Sequence, residues 1–310
     1  MANLKEIKNR ISTVKSTQKI TKAMKMVAAS KVKKAENNVK ASRPFTDELN
    51  LMFKKLLASV DSYSNETLKI KSAVDNYPEL LKIRDVKNVG LVVITSNKGL
   101  AGAYNSNIIK TVLKKIDDYE NLGIKSYLFI IGQKGYSALS KKIKNKKCEI
   151  VKTYFDIANE PVVEGVNFLT EDIAEYFVSK KIDKIEIITT KFKNMMSYSV
   201  ECWEVLPLKG LNDDYERHND SILEPLMEFL PDMHNVLQKL VPMYITNIFF
   251  QSLLEANASE LASRMTAMSA ASNNAEKMLC DLSVQYNKSR QYAITNEIIE
   301  VVSGANAQLI

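Results

Sequence analysis

The C-terminal stretch carries the clearest pattern in the chain. Leu254, Ala258, Leu261, Met265, Met268, Ser272, Ala275, Leu279, Leu282 and Tyr286 recur at alternating spacings of four and three, which is a heptad seam. Glu255, Glu260, Arg264, Lys277, Lys288 and Arg290 flank it. At about 1.5 Å per residue, roughly 60 residues of helix extend on the order of 90 Å. No globular domain of this chain's size is that wide, so a projecting rod is expected. An apolar seam needs a partner, and the N-terminal segment offers Leu4, Ile7, Ile11 and Val14. Its pattern then suggests a register slip to Ile20, Met24, Val27 and Lys31. A slip of that kind changes the supercoil locally and would bend the rod. The small residues Ala258, Ser272 and Ala275 favour a slim antiparallel pair over two core helices of a bundle.

Between these ends the pattern changes. Neither glycine nor proline occurs before Pro44 or between Pro242 and Gly304, and the other glycines lie between Gly90 and Gly210. Buried-strand signals at 89–95, 126–131, 149–154, 184–192 and 198–205 alternate with helical ones at 105–119, 133–142 and 168–180. The last of these helices is expected to open on an imperfect capping box, Thr170-Glu171-Asp172-Ile173. Alternation of this kind argues an α/β domain with a largely parallel sheet. The fold class expected is therefore mixed α+β: a long antiparallel two-helix coiled coil formed by the terminal segments, with an inserted α/β (Rossmann-like) domain. The expected division is 1–60 for the N-terminal coil helix, 61–88 for a linker and 89–210 for the inserted domain. A connecting segment at 211–242, the C-terminal coil helix at 243–303 and a tail at 304–310 complete it.

Charge sharpens this picture. Lys5, Lys8, Arg10, Lys15, Lys19, Lys22, Lys25, Lys31, Lys33, Lys34 and Lys40 face only Glu6 and Glu36, so the first 40 residues carry about +9. The whole chain of 310 residues carries +7, and the remainder is slightly acidic. A basic rod calls for an acidic partner: nucleic acid, an anionic membrane or acidic protein loops. Apolar runs such as Leu91 to Ile94 are far too short to cross a bilayer. The Lys-rich N-terminus lacks an apolar h-region, so no secretory leader is expected. Cys148, Cys202 and Cys280 are an odd set without metal-ligand spacing, as expected of reduced thiols in a cytosolic compartment.

Candidate chemistry is sparse. Gly99-Leu100-Ala101-Gly102 stands between a strand and a helix, where dinucleotide and phosphate loops lie. It has neither a GxGxxG spacing nor a Gly-Lys-Ser/Thr end, and a tight βα turn is the expected reading. His218 and His234, the only histidines, read as surface residues rather than metal ligands. Glu164 with Glu171, and Asp213 with Asp214, read as solvated charges rather than acid/base pairs. No catalytic residue, metal site or cofactor is expected. Met24, Met26, Met265 and Met268 fit either core filling or a smooth surface meeting several partner faces in turn.

The termini carry a resemblance. Lys19 to Lys31 (KITKAMKMVAASK), followed by Ser42 to Phe45 (SRPF), resembles the N-terminal signature of F-type ATP synthase γ subunits. So do Ala258 to Met268 (ASELASRMTAM) and Tyr286 to Ala305 (YNKSRQYAITNEIIEVVSGA). Gly90 to Asn105 is similar to that family's first strand and turn. Departures include Ser272 and Asn273, where the family usually has Thr and Asp, and Ala103-Tyr104 in the turn. The resemblance implies an antiparallel coil inside a ring of α and β subunits, an α/β domain beside ε and the membrane c-ring, and acidic β loops as the anionic partner. It implies a rotary shaft that couples rotation to sequential conformational change of the catalytic β subunits. The implied shaft-to-β contacts are Met24, Lys25 and Arg264, with Arg290, Gln291 and Thr295 farther toward the tip. The implied location is the cytoplasmic face of the membrane, peripheral, with no membrane span of its own and no nucleic acid partner. A specialised F-like ATPase not coupled to proton flow, a nucleotide-binding α/β enzyme and a basic coiled-coil nucleic-acid binder stand as alternatives.

Overall fold

The computed structural model describes residues 4–64, 80, 84–158, 161–207 and 233–307. His218, Asp213 and Asp214 lie outside these residues, as does most of the expected linker, and of the connecting segment only the part from Met233 on is described. Two long helices dominate, α1 at Leu4–Ser64 and the C-terminal helix at Met233–Ala307. Between them come β1 (Asn88–Ile94), α2 (Tyr104–Asn121), β2 (Lys125–Ile131), α3 (Gln133–Lys142), β3 (Cys148–Tyr154), α4 (Val163–Val178), β4 (Lys184–Asn194) and β5 (Ser197–Leu206). The C-terminal helix is thus α5. The chain forms two compact units, residues 1–30 with 264–310, and residues 31–263.

In the first unit the two terminal segments pack together along heptad seams. On α5, Met268, Ala275 and Leu282 are buried at seven-residue steps, with Met265, Ser272, Leu279 and Tyr286 half-buried between them. On α1 the buried positions are Ile7, Thr21 and Ala28, joined by half-buried Leu4, Ile11, Val14, Gln18 and Met24. The expected slip is therefore absent. Ile20 and Val27 are each 59% exposed, and Lys31 also faces solvent. The reason lies in the partner. A helix facing a strict 3.5-residue repeat must keep that repeat to stay in contact. The register accordingly runs on through polar Gln18 and Thr21 and leaves larger apolar neighbours outside.

In the second unit the sheet order is β3-β2-β1-β4-β5. The first four strands are parallel, and β5 pairs antiparallel with β4 at the edge. Alternation along β1 serves two cores. Val89, Leu91 and Val93 pack with Ile108, Val112 and Ile116 of α2 and Leu139 of α3. Val92 and Ile94 face Val166, Leu169, Ile173 and Phe177 of α4 together with Val241, Ile245 and Phe249 of α5. Helices thus cover both faces, as a buried parallel sheet requires. Gly132 is obligatory at the β2–α3 turn: its φ is +98°, and a Cβ would lie 2.2 Å from the Thr95 carbonyl oxygen.

α4 corrects one expectation. It starts at Val163, well before Thr170, and its N-cap is Val162 with no side-chain cap. Thr170 is interior, its hydroxyl donating back to the Val166 carbonyl at 2.9 Å. Burial of Val166, Leu169, Ile173 and Phe177 fixes the helix on the sheet, and that packing overrides the capping pattern.

The same unit shows the sense of the α1–α5 pairing. Ser42 donates to Gln251 and Asn247 to Thr46, while Phe53 stacks on Tyr244 with ring centroids 4.3 Å apart. Numbers rise on α1 as they fall on α5, so the helices run antiparallel.

Candidate functional site

The six residues singled out for shaft contacts all belong to the first unit. Met24 is half-buried on the α1 seam, and Lys25 beside it is exposed. Arg264 is half-buried on α5, whereas Arg290, Gln291 and Thr295 are exposed. The Thr295 hydroxyl donates to the Gln291 carbonyl at 2.9 Å, one turn back along the helix. Arg264 and Arg290 are about 39 Å apart along the axis, so the four residues singled out on α5 fall into two separate groups. The basic residues on the α1 side of the unit, Lys5, Lys8, Arg10, Lys15, Lys19, Lys22 and Lys25, are all exposed.

A further surface on α5 went unmarked in the sequence reading. The seam ends at Ala293, and beyond it Ile294, Ile298, Ile299, Val301 and Val302 are 47–71% exposed. An apolar helix end of this kind marks a contact surface. The available signal was the apolar run continuing after the heptad stops.

The second unit contains a polar junction that the sequence reading also missed. Glu255 of α5 is 2% exposed, yet its carboxylate is fully engaged. Oε1 accepts from Arg43 Nε at 2.9 Å, Arg43 Nη2 at 2.8 Å and Gln251 Nε2 at 3.1 Å. Oε2 accepts from the Phe192 backbone N–H at 2.7 Å. Arg43 Nη2 also donates to the Phe192 carbonyl at 2.9 Å. One buried carboxylate and one guanidinium thus hold α1, α5 and the end of β4 together. Apolar packing of Val32, Val39, Phe192, Leu254, Ala258 and Ala262 surrounds them.

The Gly99–Gly102 turn belongs to the same junction. Leu100 and Gly102 adopt positive φ, 65° and 57°, which tightens the passage from β1 into α2. The Ala101 carbonyl accepts from Ser263 Oγ at 2.7 Å, and the Tyr104 hydroxyl donates to the Ala256 carbonyl at 3.2 Å. From β4, the Thr189 hydroxyl donates to the Ser252 carbonyl at 3.2 Å. In the order β3-β2-β1-β4-β5 the winding direction reverses between β1 and β4. Doubly wound sheets bind ligands in the crevice at the carboxyl ends of such strands. Here α5 lies across that crevice.

A charged cluster braces the β4–β5 edge. Glu186 is 4% exposed and accepts from Tyr119 at 2.6 Å, Lys184 at 2.7 Å, Lys115 at 3.3 Å and the Cys202 thiol at 3.2 Å. Burial pushes its carboxyl up, but the bonds from Lys184, Tyr119 and Cys202 outweigh burial and hold it at about 2. Burial and then the adjacent Glu186 push the Cys202 thiol up to about 12, and burial raises Cys148 to about 12 as well. Glu164 and Glu171 are exposed on α4, and their neighbour Asp172 is engaged by Lys152 and Tyr154. Among the described residues there is no group of three or more His, Cys, Asp or Glu that could hold a metal, and no helix is long and apolar enough to cross a membrane.

The chain matches the family model described as ATP synthase over residues 3–308. It is 36% identical to the ATP synthase gamma chain of Synechococcus sp. (strain JA-3-3Ab), covering 99% of this chain and 100% of that one. The gamma chain of Gloeobacter violaceus is 37% identical at the same coverage. Among solved structures, the central stalk and c-ring of Tetrahymena thermophila mitochondrial ATP synthase aligns with a TM-score of 0.60 and 26% identity. That alignment covers 82% of this chain and 99% of that one. The rotor of Euglena gracilis mitochondrial ATP synthase shares the fold, with a TM-score of 0.63 at 17% identity, covering 94% and 98% of the two chains. Similarity of this extent, in sequence and in fold alike, makes the chain a member of the ATP synthase gamma-chain family.

Proposed function

We propose that this chain is the central rotary shaft of an F-type ATP synthase, a subunit that carries no catalytic site and works by mechanical contact. The observation that carries this reading is the pair of seven-residue seams on α1 and α5, in a chain that matches gamma chains along its whole length. In this reading the coil residues meet the β subunits of the head, and the α/β domain meets ε and the c-ring at the cytoplasmic face of the membrane. Met24, Lys25 and Arg264 form the contact station toward the foot, and Arg290, Gln291 and Thr295 the one toward the tip. The expected division, with coil helices at 1–60 and 243–303 and a domain at 89–210, serves as the functional one.

The physics is differential binding. Each face of an asymmetric shaft favours one β conformation over another, so turning the shaft exchanges the three sites among their states. Torque is the slope of that contact energy along the rotation. Exposed lysines supply long-range attraction to acidic loops, and half-buried Met24 supplies a polarisable contact that tolerates successive partners. Co-expression with the α and β subunits of the same organism tests the proposal. A stoichiometric complex whose ATP hydrolysis requires this chain is expected; a chain that stays apart from α and β while they assemble alone would remove the proposal's basis.

A further inference from the structure

We infer that the crevice at the carboxyl ends of β1 and β4, a ligand site in other doubly wound folds, is here a mechanical socket in which Arg43 and Glu255 lock the coil to the α/β body so that torque crosses between them. The inference rests on the shaft reading.

The contacts span Ser252 to Ser263, about 17 Å of α5. They come from the passage after β1 (Ala101, and Tyr104 at the start of α2) and from the middle and later part of β4 (Thr189, Phe192). Apolar packing of Phe249, Leu253 and Ala256 seats α5 on the sheet face by shape, but the hydrophobic force itself has no direction. Hydrogen bonds to fixed backbone groups resist rolling, because they weaken steeply with angle. The Phe192 peptide is gripped from both sides: its N–H donates to Glu255 of α5, and its carbonyl accepts from Arg43 of α1. Both helices are therefore indexed to one point on β4, and neither can turn without breaking a charge-assisted bond. Arginine suits this role, since its planar fork reaches Glu255 and the Phe192 carbonyl together. A lysine ammonium has the charge but not the fork. Arg43 and Glu255 are accordingly positioning residues.

The experiment fixes the α and β subunits of the assembled head to a surface and attaches a bead to the α/β body. Attachment is through Met196→Cys on the β4–β5 hairpin, where Met196 is 87% exposed, in a Cys280→Ser background. Hydrolysis then turns the coil, and the bead reports what torque reaches the body. With Arg43 intact, the bead is expected to rotate steadily. With Arg43→Ala, hydrolysis should continue near the parental rate while bead torque falls several-fold, and Arg43→Lys should fall between the two. Unchanged bead torque in both variants would overturn the socket. So would hydrolysis and torque falling in equal proportion, which marks a merely structural role. If Arg43→Ala fails to assemble, Arg43→Lys decides alone, and parental torque in it overturns the inference. Failure of the Arg43 complex itself to rotate the bead, despite active hydrolysis, would instead remove the shaft reading.

Discussion

Glu186 shows how one side chain can make folding depend on pH. Its carboxyl is held at about 2, against an ordinary 4.5, because bonds from Lys184, Tyr119 and Cys202 overcome the effect of burial. A depressed carboxylate contributes stability above its unfolded value and loses it as pH falls from 4.5 toward 2. Replacing it with glutamine leaves the Lys184 and Lys115 ammonium groups without their shared partner. Lys184 keeps Glu204 at 2.9 Å, so Glu186→Gln is expected to cost about 1.5–3 kcal/mol at pH 7, and the gap from the parent should shrink between pH 4.5 and 2. Urea unfolding at the two ends of that range measures it; a gap that does not change with pH would show that the pairing is not electrostatic. Met24 raises a different question at the same scale. Met24→Lys adds a cation beside Lys22 and Lys25. A new pair with a β carboxylate in a partly desolvated contact is worth roughly 1–3 kcal/mol. Formed in one rotary state only, it deepens that state. Assembly should then be intact, turnover slower and the Arrhenius plot of ATPase rate steeper; superimposable plots would move Met24 off the torque-bearing face.

At the scale of elements, the seam register separates two readings of α1. Ile7 is 7% exposed, and Ile20 is 59% exposed. Both are isoleucines on the same helix, so propensity cancels in the comparison. Ile7→Ala removes buried methyl groups and should cost about 2 kcal/mol or more. Ile20→Ala should stay within about 0.5 kcal/mol. Equal losses in chemical denaturation would restore the slipped register. The same unit illustrates why small residues matter on a seam. Ala28 and Ala275 are almost fully buried, and alanine permits helix axes to approach closely at the lower end of the 8–10 Å range.

The whole molecule carries its charge unevenly. In the first unit, the α1 segment places seven cations on the surface against Glu6, and the α5 segment is close to balanced. On the proposed shaft reading, attraction of these cations to acidic β-subunit loops acts through a field that salt screens over about 10 Å at 0.1 M. Replacing Lys15, Lys19 and Lys22 together by glutamine should slow association with the α and β subunits and flatten its salt dependence, leaving the fold intact. Stopped-flow assembly rates across a salt series provide the measurement; a parental salt slope in the triple variant would show that this stripe does not steer docking.

The sequence by itself determined what is local and periodic. The ten-position seam on α5 was legible because a heptad is a property of one chain segment, and every one of its positions is buried or half-buried. Strand and helix alternation was legible for the same reason, as was the basic face of α1. Tertiary structure decided what depends on a partner element. Thr21 and Ala28, not Ile20 and Val27, line the α1 seam because the strict repeat on α5 sets the phase. α4 begins at Val163 because its apolar face meets the sheet, whatever capping pattern lies at Thr170. The Arg43–Glu255 pair spans 212 positions of sequence, so no spacing rule could join the two residues. Only the folding of α5 across the ends of β1 and β4 makes them neighbours, and burial then forces the carboxylate to find every donor within reach.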